Sequence, residues 1–434
     1  MTHRLHIRIA LVALLFGGLS CSAIVADTVN VRDLGAVGDG KADDTEAIQK
    51  AIYDNTAEIF FPAGTYRVTK TLQFAKKVGA DQFPRQRHIR GEGNRSILQW
   101  DGEKGGIMLR AYGMGHCQFS SLWFKGQTQP RLVKDRTDRA GILFLVEAAD
   151  GMGNMINHFS YCQFTGADVG VQCGTSDHFP TNSDMSFEHI NVHQVGTFFY
   201  TKNNQAVDFL FNFVFVCDAE TVFHFERGGN LLVNNCQVTD AGMVLRIDGG
   251  GRCCATYTLN NVRVEGNSRV NRKQLLSATN IEWEQAVIRF TGFNDIFWQW
   301  CRNSGENRVK PLCEIGPGVN VTFESSSFNS PIAALTGKEG KPASLVLREC
   351  TLGFLNPNEA ISANKFGYFK TENCFTDHME PQPDIVKWPA LPVMAIAADA
   401  EYVAPLPAAM PDCEKATTEG LARRESWIKS ISGK

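Results

Sequence analysis

The chain has 434 residues, 43% hydrophobic and 21% charged, with a formal net charge of −3. That balance describes a folded protein, and the lack of basic excess gives no reason to expect a nucleic-acid partner. An anionic polymer stays open, because a local Arg/Lys groove can serve one at any net charge.

The first predicted element is an export signal. His3, Arg4, His6 and Arg8 precede an apolar run from Ile9 to Leu19 that is too short for a comfortable membrane span. Cleavage after Ala23 or Ala26 gives a signal peptide over 1–26 and a secreted or periplasmic protein. Cys21 offers a lipid-anchored alternative, but Gly18-Leu19-Ser20 lacks the Leu usual three residues before such a Cys. No later segment is long and apolar enough to span a membrane.

Next comes VNVRDLGAVGDGKADDTEAIQKAI at 29–52 and IFFPAGTYRV at 59–68. The pattern predicts a strand, a glycine-rich turn, a helix and a further strand. Asp43 is the expected N-cap, with Glu46 three residues on completing a capping box. Ala47, Ile48, Ala51 and Ile52 form one apolar stripe. Such a helix suits the open end of a repetitive stack, whose first turn otherwise exposes core and strand edges.

From about residue 88 the chain consists of short β-rich runs broken by Gly, Asn and Asp. An apolar-x-apolar core aligns as Leu122/Phe124, Cys162/Phe164, Ile190/Val192, Val214/Val216, Cys236/Val238, Val262/Val264, Ile288/Phe290 and Cys350/Leu352, with Cys374 opening a last turn. Several steps are 22–28 residues, and longer ones coincide with polar insertions near 126–140 and 295–317. This repeat predicts an all-β chain wound as a three-sheet parallel β-helix over 27–380. A β-sandwich has no reason to hold one register across eight segments.

The recurring Cys positions in YCQF (161–164), NCQV (235–238), ECTL (349–352) and NCFT (373–376) suit small side chains stacked in a solenoid. Cys301 and Cys313 are the better disulfide candidates, and no spacing suggests zinc. Beyond 380, seven prolines from Pro381 to Pro411 exclude ladder strands. A Pro-rich tail is therefore expected over 381–434, with a short helix over 412–430.

The run at 29–68, together with IRGEGNRSIL at 89–98, resembles the opening of the pectate lyase superfamily, which includes polygalacturonases and many phage tailspikes. The resemblance implies a right-handed parallel β-helix that acts on, or grips, a polysaccharide along the outer face of one sheet. It does not choose a reaction. The Asn-Thr-Asp, Gly-His-Gly and Arg-Ile-Lys motifs of polygalacturonases are absent. The only Asp-Asp is at 43–44, and Gly115-His116-Cys117 lacks the second Gly. The Arg-x-Pro-x-x-Arg context of the better-known pectate lyases is absent too. No cofactor is certain, and Ca²⁺ is implied by the family resemblance alone.

Register counting supplies the candidate site. Lys125, Thr165, His193, Cys217, Thr239, Glu265 and Thr291 form one expected outward column. Trp123, Gln163, Asn191, Phe215, Gln237, Arg263 and Arg289 form another. One place beyond the first column, Asp218 and Asp240 fall on consecutive turns. Their expected separation of about 5 Å matches the carboxylate spacing of retaining glycosidases. Arg263 beside Glu265 offers a cation for a uronate or a lyase base, and His193 an acid or base. The bland alternative for both aspartates is an Asx-turn after a strand. Asn234-Asn235 and Asn260-Asn261 read as turn ladders.

Trp298 and Trp300, with Trp283, Phe293 and Phe297, surround the 295–317 insertion and suit sugar stacking. Gln237 and Asn191 complete the expected substrate contacts. The leading expectation is an exported enzyme that cleaves a glycan by hydrolysis or β-elimination. The rival is a non-catalytic carbohydrate-binding or adhesion solenoid.

Overall fold

The computed structural model describes residues 28–53, 58–74, 86–127, 140–147, 153–175, 181–249, 255–265, 274–278, 286–295, 313–328, 332–336, 343–352, 366, 368–376 and 396–397. The export-signal segment, Trp283, Phe297, Trp298, Trp300, Cys301 and nearly all of the tail lie outside these residues.

Every strand pairing is parallel, and each turn pairs with the next, as in a right-handed parallel β-helix. In its middle turns the chain stays paired for long stretches, Asn182–Thr201, Ala206–Phe225 and Gly229–Ile247. Each stretch bends at single residues to build three sheets. The first sheet holds 185–188 and its equivalents, the second 190–193 and the third 195–201.

The bends are left-handed residues. Between the first and second sheets stand Ser121, Tyr161, His189, Phe213, Asn235, Asn261, Gly292, Ser325, Glu349 and Asn373, all with φ between 46° and 63°. Asn tolerates this conformation because its short amide bonds locally. Here it also bonds along the stack. Asn261 Nδ2 donates to Asn235 Oδ1 at 2.8 Å, and Asn260 Nδ2 to Asn234 Oδ1 at 3.0 Å. The expected turn ladders are these.

The interior is a set of like-on-like columns. Phe119, Phe159, Phe187 and Phe211 stack along the first sheet with ring centroids 4.9, 4.8 and 4.5 Å apart. Val216 and Val238 are fully buried and Val264 is 9% exposed, so the counted inward column exists. Cys162, Cys236, Cys350 and Cys374 are buried in the same solenoid interior. Burial pushes the Cys162 and Cys236 thiols up to about 12, which suits packing rather than reactivity. Cys313 is buried, and Cys301, its expected partner, lies outside the described residues.

The helix, α1, runs Thr45–Tyr53 and buries Ile48, Ala51 and Ile52 against the first turns. Its start departs from the expected capping box. Asp43 bonds the Thr45 amide at 3.1 Å and the Thr45 hydroxyl. Asp44 is 1% exposed and accepts from the amides of Val37 and Gly38. Glu46 pairs outward with Lys70 at 3.5 Å. The acids thus tie the glycine-rich turn to the helix.

Turns close over the third sheet through short segments, of which Gly228 is the tightest point. Its φ is +83°, and an added Cβ would sit 2.0 Å from the carbonyl oxygen of Ala206. Gly228→Ala is expected to cost about 1–3 kcal/mol or more. Thermal unfolding of the purified variant against the parent checks this.

Candidate functional site

The expected columns exist over most of their length. Lys125, Thr165, His193, Cys217, Thr239 and Glu265 pair in succession on the second sheet. So do Trp123, Gln163, Asn191, Phe215, Gln237 and Arg263. Thr291 and Arg289 do not join them. They pair with Asn260 and Thr258, which puts Ile288/Phe290 on the first sheet. Asn294 takes the position after Arg263. Phe293 is a core residue, 1% exposed and packed between Phe290 and Phe323.

Asp218 and Asp240 do occupy consecutive turns, at the bend between the second and third sheets. They follow Gly166 and Gln194 there, and all four are left-handed. Asp240 is 3% exposed, whereas Asp218 is half-buried. Burial pushes the His193 imidazole down, and Asp218 pulls the other way. His193 lies near the Phe215 ring, with centroids 5.6 Å apart. Arg263 and Glu265 pair with each other. Asn191 and Gln237 face outward in the same column as Arg263. The second sheet therefore gathers the predicted group, with Asp240 tucked beneath its surface.

A second group was not expected from the sequence. On the third sheet, Gln172, Tyr200, His224 and Arg246 pair in succession on the outer face. Two consecutive inward residues precede each of the last three: Phe198–Phe199, Val222–Phe223 and Val244–Leu245. This repeated irregularity turns the next side chain out. Tyr200 and His224 stack with ring centroids 4.7 Å apart. His224 Nε2 meets Asp248 Oδ2 at 2.8 Å, so Nε2 carries the proton and Nδ1 is the basic nitrogen. Arg246 Nε also donates to Asp248, at 2.8 and 2.9 Å. The Tyr200 hydroxyl donates to Glu226, and Lys202 Nζ approaches the same carboxylate at 4.0 Å.

Burial, then Glu226, raises the Tyr200 phenol, which keeps it protonated. Burial would raise the Asp248 carboxyl too, but the bonds from His224 and Arg246 outweigh it and hold the group at about 2. A depressed folded value stabilises above the ordinary value of 3.8 and is lost as pH falls towards 2. Asp248→Asn is therefore expected to be about 1–2 kcal/mol less stable than the parent at neutral pH. Below about pH 4 the gap should close, as denaturant melts across pH will show.

One signal could have found this group. Tyr200, His224 and Arg246 each lie eight places after the inward valines 192, 216 and 238, and Lys202, Glu226 and Asp248 ten places after. Among the described residues, no cluster of His, Cys, Asp and Glu is arranged to hold a metal ion. The donor set for Ca²⁺ is not gathered among those residues.

The model of the family "Rhamnogalacturonase A/epimerase, pectate lyase-like" matches residues 28–242. Over that stretch, just under half of its length, the chain is similar to the pectate lyase superfamily. Mannuronan C5-epimerase AlgE2 of Azotobacter vinelandii is 38% identical over 93 residues. That stretch is 19% of this chain and 9% of the relative, so the chain matches a small part of that protein's length. The N-terminal fragment of bacteriophage phi29 gene product 12 overlays with a TM-score of 0.44 at 13% identity, covering 86% of this chain and 69% of that one. Endo-xylogalacturonan hydrolase from Aspergillus tubingensis overlays at 0.39 and 12% identity, covering 86% and 99%. At such scores the overlays say nothing of chemistry. The family match supports a polysaccharide as ligand. No helix among the described residues is long and apolar enough to cross a membrane.

Proposed function

We propose that this is an exported polysaccharide-active enzyme that cuts a uronate-containing glycan by β-elimination on the outer face of the third sheet. The observation that carries this is the Tyr200–His224–Asp248–Arg246 constellation, built from three adjacent turns. β-Elimination needs a base for the proton alpha to the carboxylate, a cation to offset the carboxylate as charge develops, and an acid for the leaving oxygen. His224, oriented by Asp248, supplies the base. Arg246, with its side chain 47% exposed, supplies the cation. Tyr200, held protonated, supplies the acid. A relative named as a C5-epimerase of mannuronan works at the same carbon of a uronate, which agrees with this reading.

The test is to incubate the purified protein with plant and algal polysaccharides. New reducing ends together with the ultraviolet absorbance of an unsaturated uronate are expected. Reducing ends without that absorbance would favour a second reading, hydrolysis at Asp218 and Asp240 on their neighbouring turns. In that case Asp218→Asn and Asp240→Asn would abolish activity. Binding without cleavage would point to an adhesive solenoid.

A further inference from the structure

We infer that the preferred substrate is a uronan whose C5 hydrogen and C4 oxygen lie on the same side of the sugar ring, as in 1,4-linked D-mannuronate or D-glucuronate. This rests on the elimination reading above. Tyr200 and His224 stand on consecutive turns of one sheet face, with ring centroids 4.7 Å apart and planes inclined by 27°. That spacing is ring-on-ring contact and leaves no room for a pyranose between them. Acid and base therefore approach a bound sugar from one side. Glu226 and Asp248, which hold them, each lie one turn further on, just past the strands Ala206–Phe225 and Gly229–Ile247, and fix them to that side.

The step balances without a co-reactant. The C5–H bond breaks, and its proton goes to His224 Nδ1. The electron pair forms the C4=C5 double bond, and the C4–O bond breaks. The departing oxygen takes the phenolic proton of Tyr200, whose hydrogen turns away from Glu226 to give it. The imidazolium then returns one proton to the phenolate through solvent. One chain becomes two, with no water consumed and nothing oxidised. Asp248 stabilises the imidazolium in the interval, and Arg246 offsets the uronate carboxylate. In L-guluronate and D-galacturonate the C5 hydrogen and the C4 oxygen lie on opposite sides. A base on the hydrogen's side then leaves the oxygen with no acid, which forfeits a factor of about 10²–10⁴.

The experiment supplies the full chain with four homopolymers at equal uronate concentration: polymannuronate, glucuronan, polyguluronate and polygalacturonate. Initial rates are read as unsaturated-uronate absorbance, and products are checked by proton NMR. The expected result is cleavage of polymannuronate, glucuronan or both, at least about a hundredfold faster than of the other two. Elimination on polyguluronate or polygalacturonate at comparable or higher rates overturns the stereochemical inference and leaves the elimination reading standing. Absence of the unsaturated product from all four overturns both. A Tyr200→Phe variant separates positioning from chemistry. In deuterium oxide it should exchange the C5 hydrogen of the accepted polymer while cleaving it at least about a hundredfold more slowly. Unchanged cleavage by this variant removes Tyr200 as the acid and overturns the one-sided mechanism.

Discussion

Tyr200→Phe and His224→Gln should each lower kcat for uronan cleavage by about 10²–10⁴, the usual contribution of a positioned acid or base. Their thermal stabilities should separate them from a folding defect. Phe keeps the ring that stacks on His224 and loses only the hydroxyl that donates to Glu226. A part-buried hydrogen bond to a carboxylate contributes about 1.5–3 kcal/mol net, so the Tyr200→Phe midpoint should fall by several degrees while the protein stays folded. Because His224 and Tyr200 act on one transition state, the double variant should lose far less than the product of the two single losses. Rates that multiply would mean the two side chains serve unrelated steps. Full activity in either single variant would remove the third-sheet group from the chemistry.

Phe187→Ala should have the largest effect on stability. Its ring lies between those of Phe159 and Phe211, at 4.8 and 4.5 Å, and meets Phe199 edge-on at 5.6 Å. The side chain is fully buried. Truncating a buried Phe costs about 3–5 kcal/mol, because the lost transfer energy adds to an unfilled cavity. The rigid spacing of successive turns limits collapse around the gap, which argues for the upper part of that range. Phe187→Leu should recover much of the loss. Urea titration of the three proteins measures both. In a stack where each turn touches only its neighbours, the damage should also be local. Hydrogen exchange should accelerate first in the turns around 159–211 and only later near 345.

Much of the architecture could be read from the residues because a solenoid repeats one physical problem. Each turn must bury the same few inward positions, so the apolar-x-apolar core recurs at Phe124, Phe164, Val192, Val216, Val238 and Val264 in one paired column. The count failed at Ile288/Phe290 for a reason built into the fold. The first and second sheets share the same inward alternation, and only a one-residue bend separates them. When the bend residue is Gly292 instead of Asn, and a polar insertion begins only a few residues after it, nothing in the pattern says which sheet a run belongs to. The candidate site was hidden for a different reason. Paired inward residues at 198–199, 222–223 and 244–245 break the alternation on the third sheet, so counting by twos from the valines loses the outward face before Tyr200. The pair at Asp218 and Asp240 was correctly assigned to neighbouring turns. Its two members differ in exposure, which depends on packing and not on register.

The lengths of the central turns vary in one place. Both bends flanking the second sheet take a single residue each time, whereas the chain leaving the third sheet uses 202–205 and then 226–228 before the next strand begins. That edge is where a lineage can lengthen or trade segments without disturbing a ladder, and it borders Lys202, Glu226 and Asp248. Diversification of such a chain would therefore rewrite its surroundings at the reactive end first, leaving the wound backbone behind it as an inherited frame.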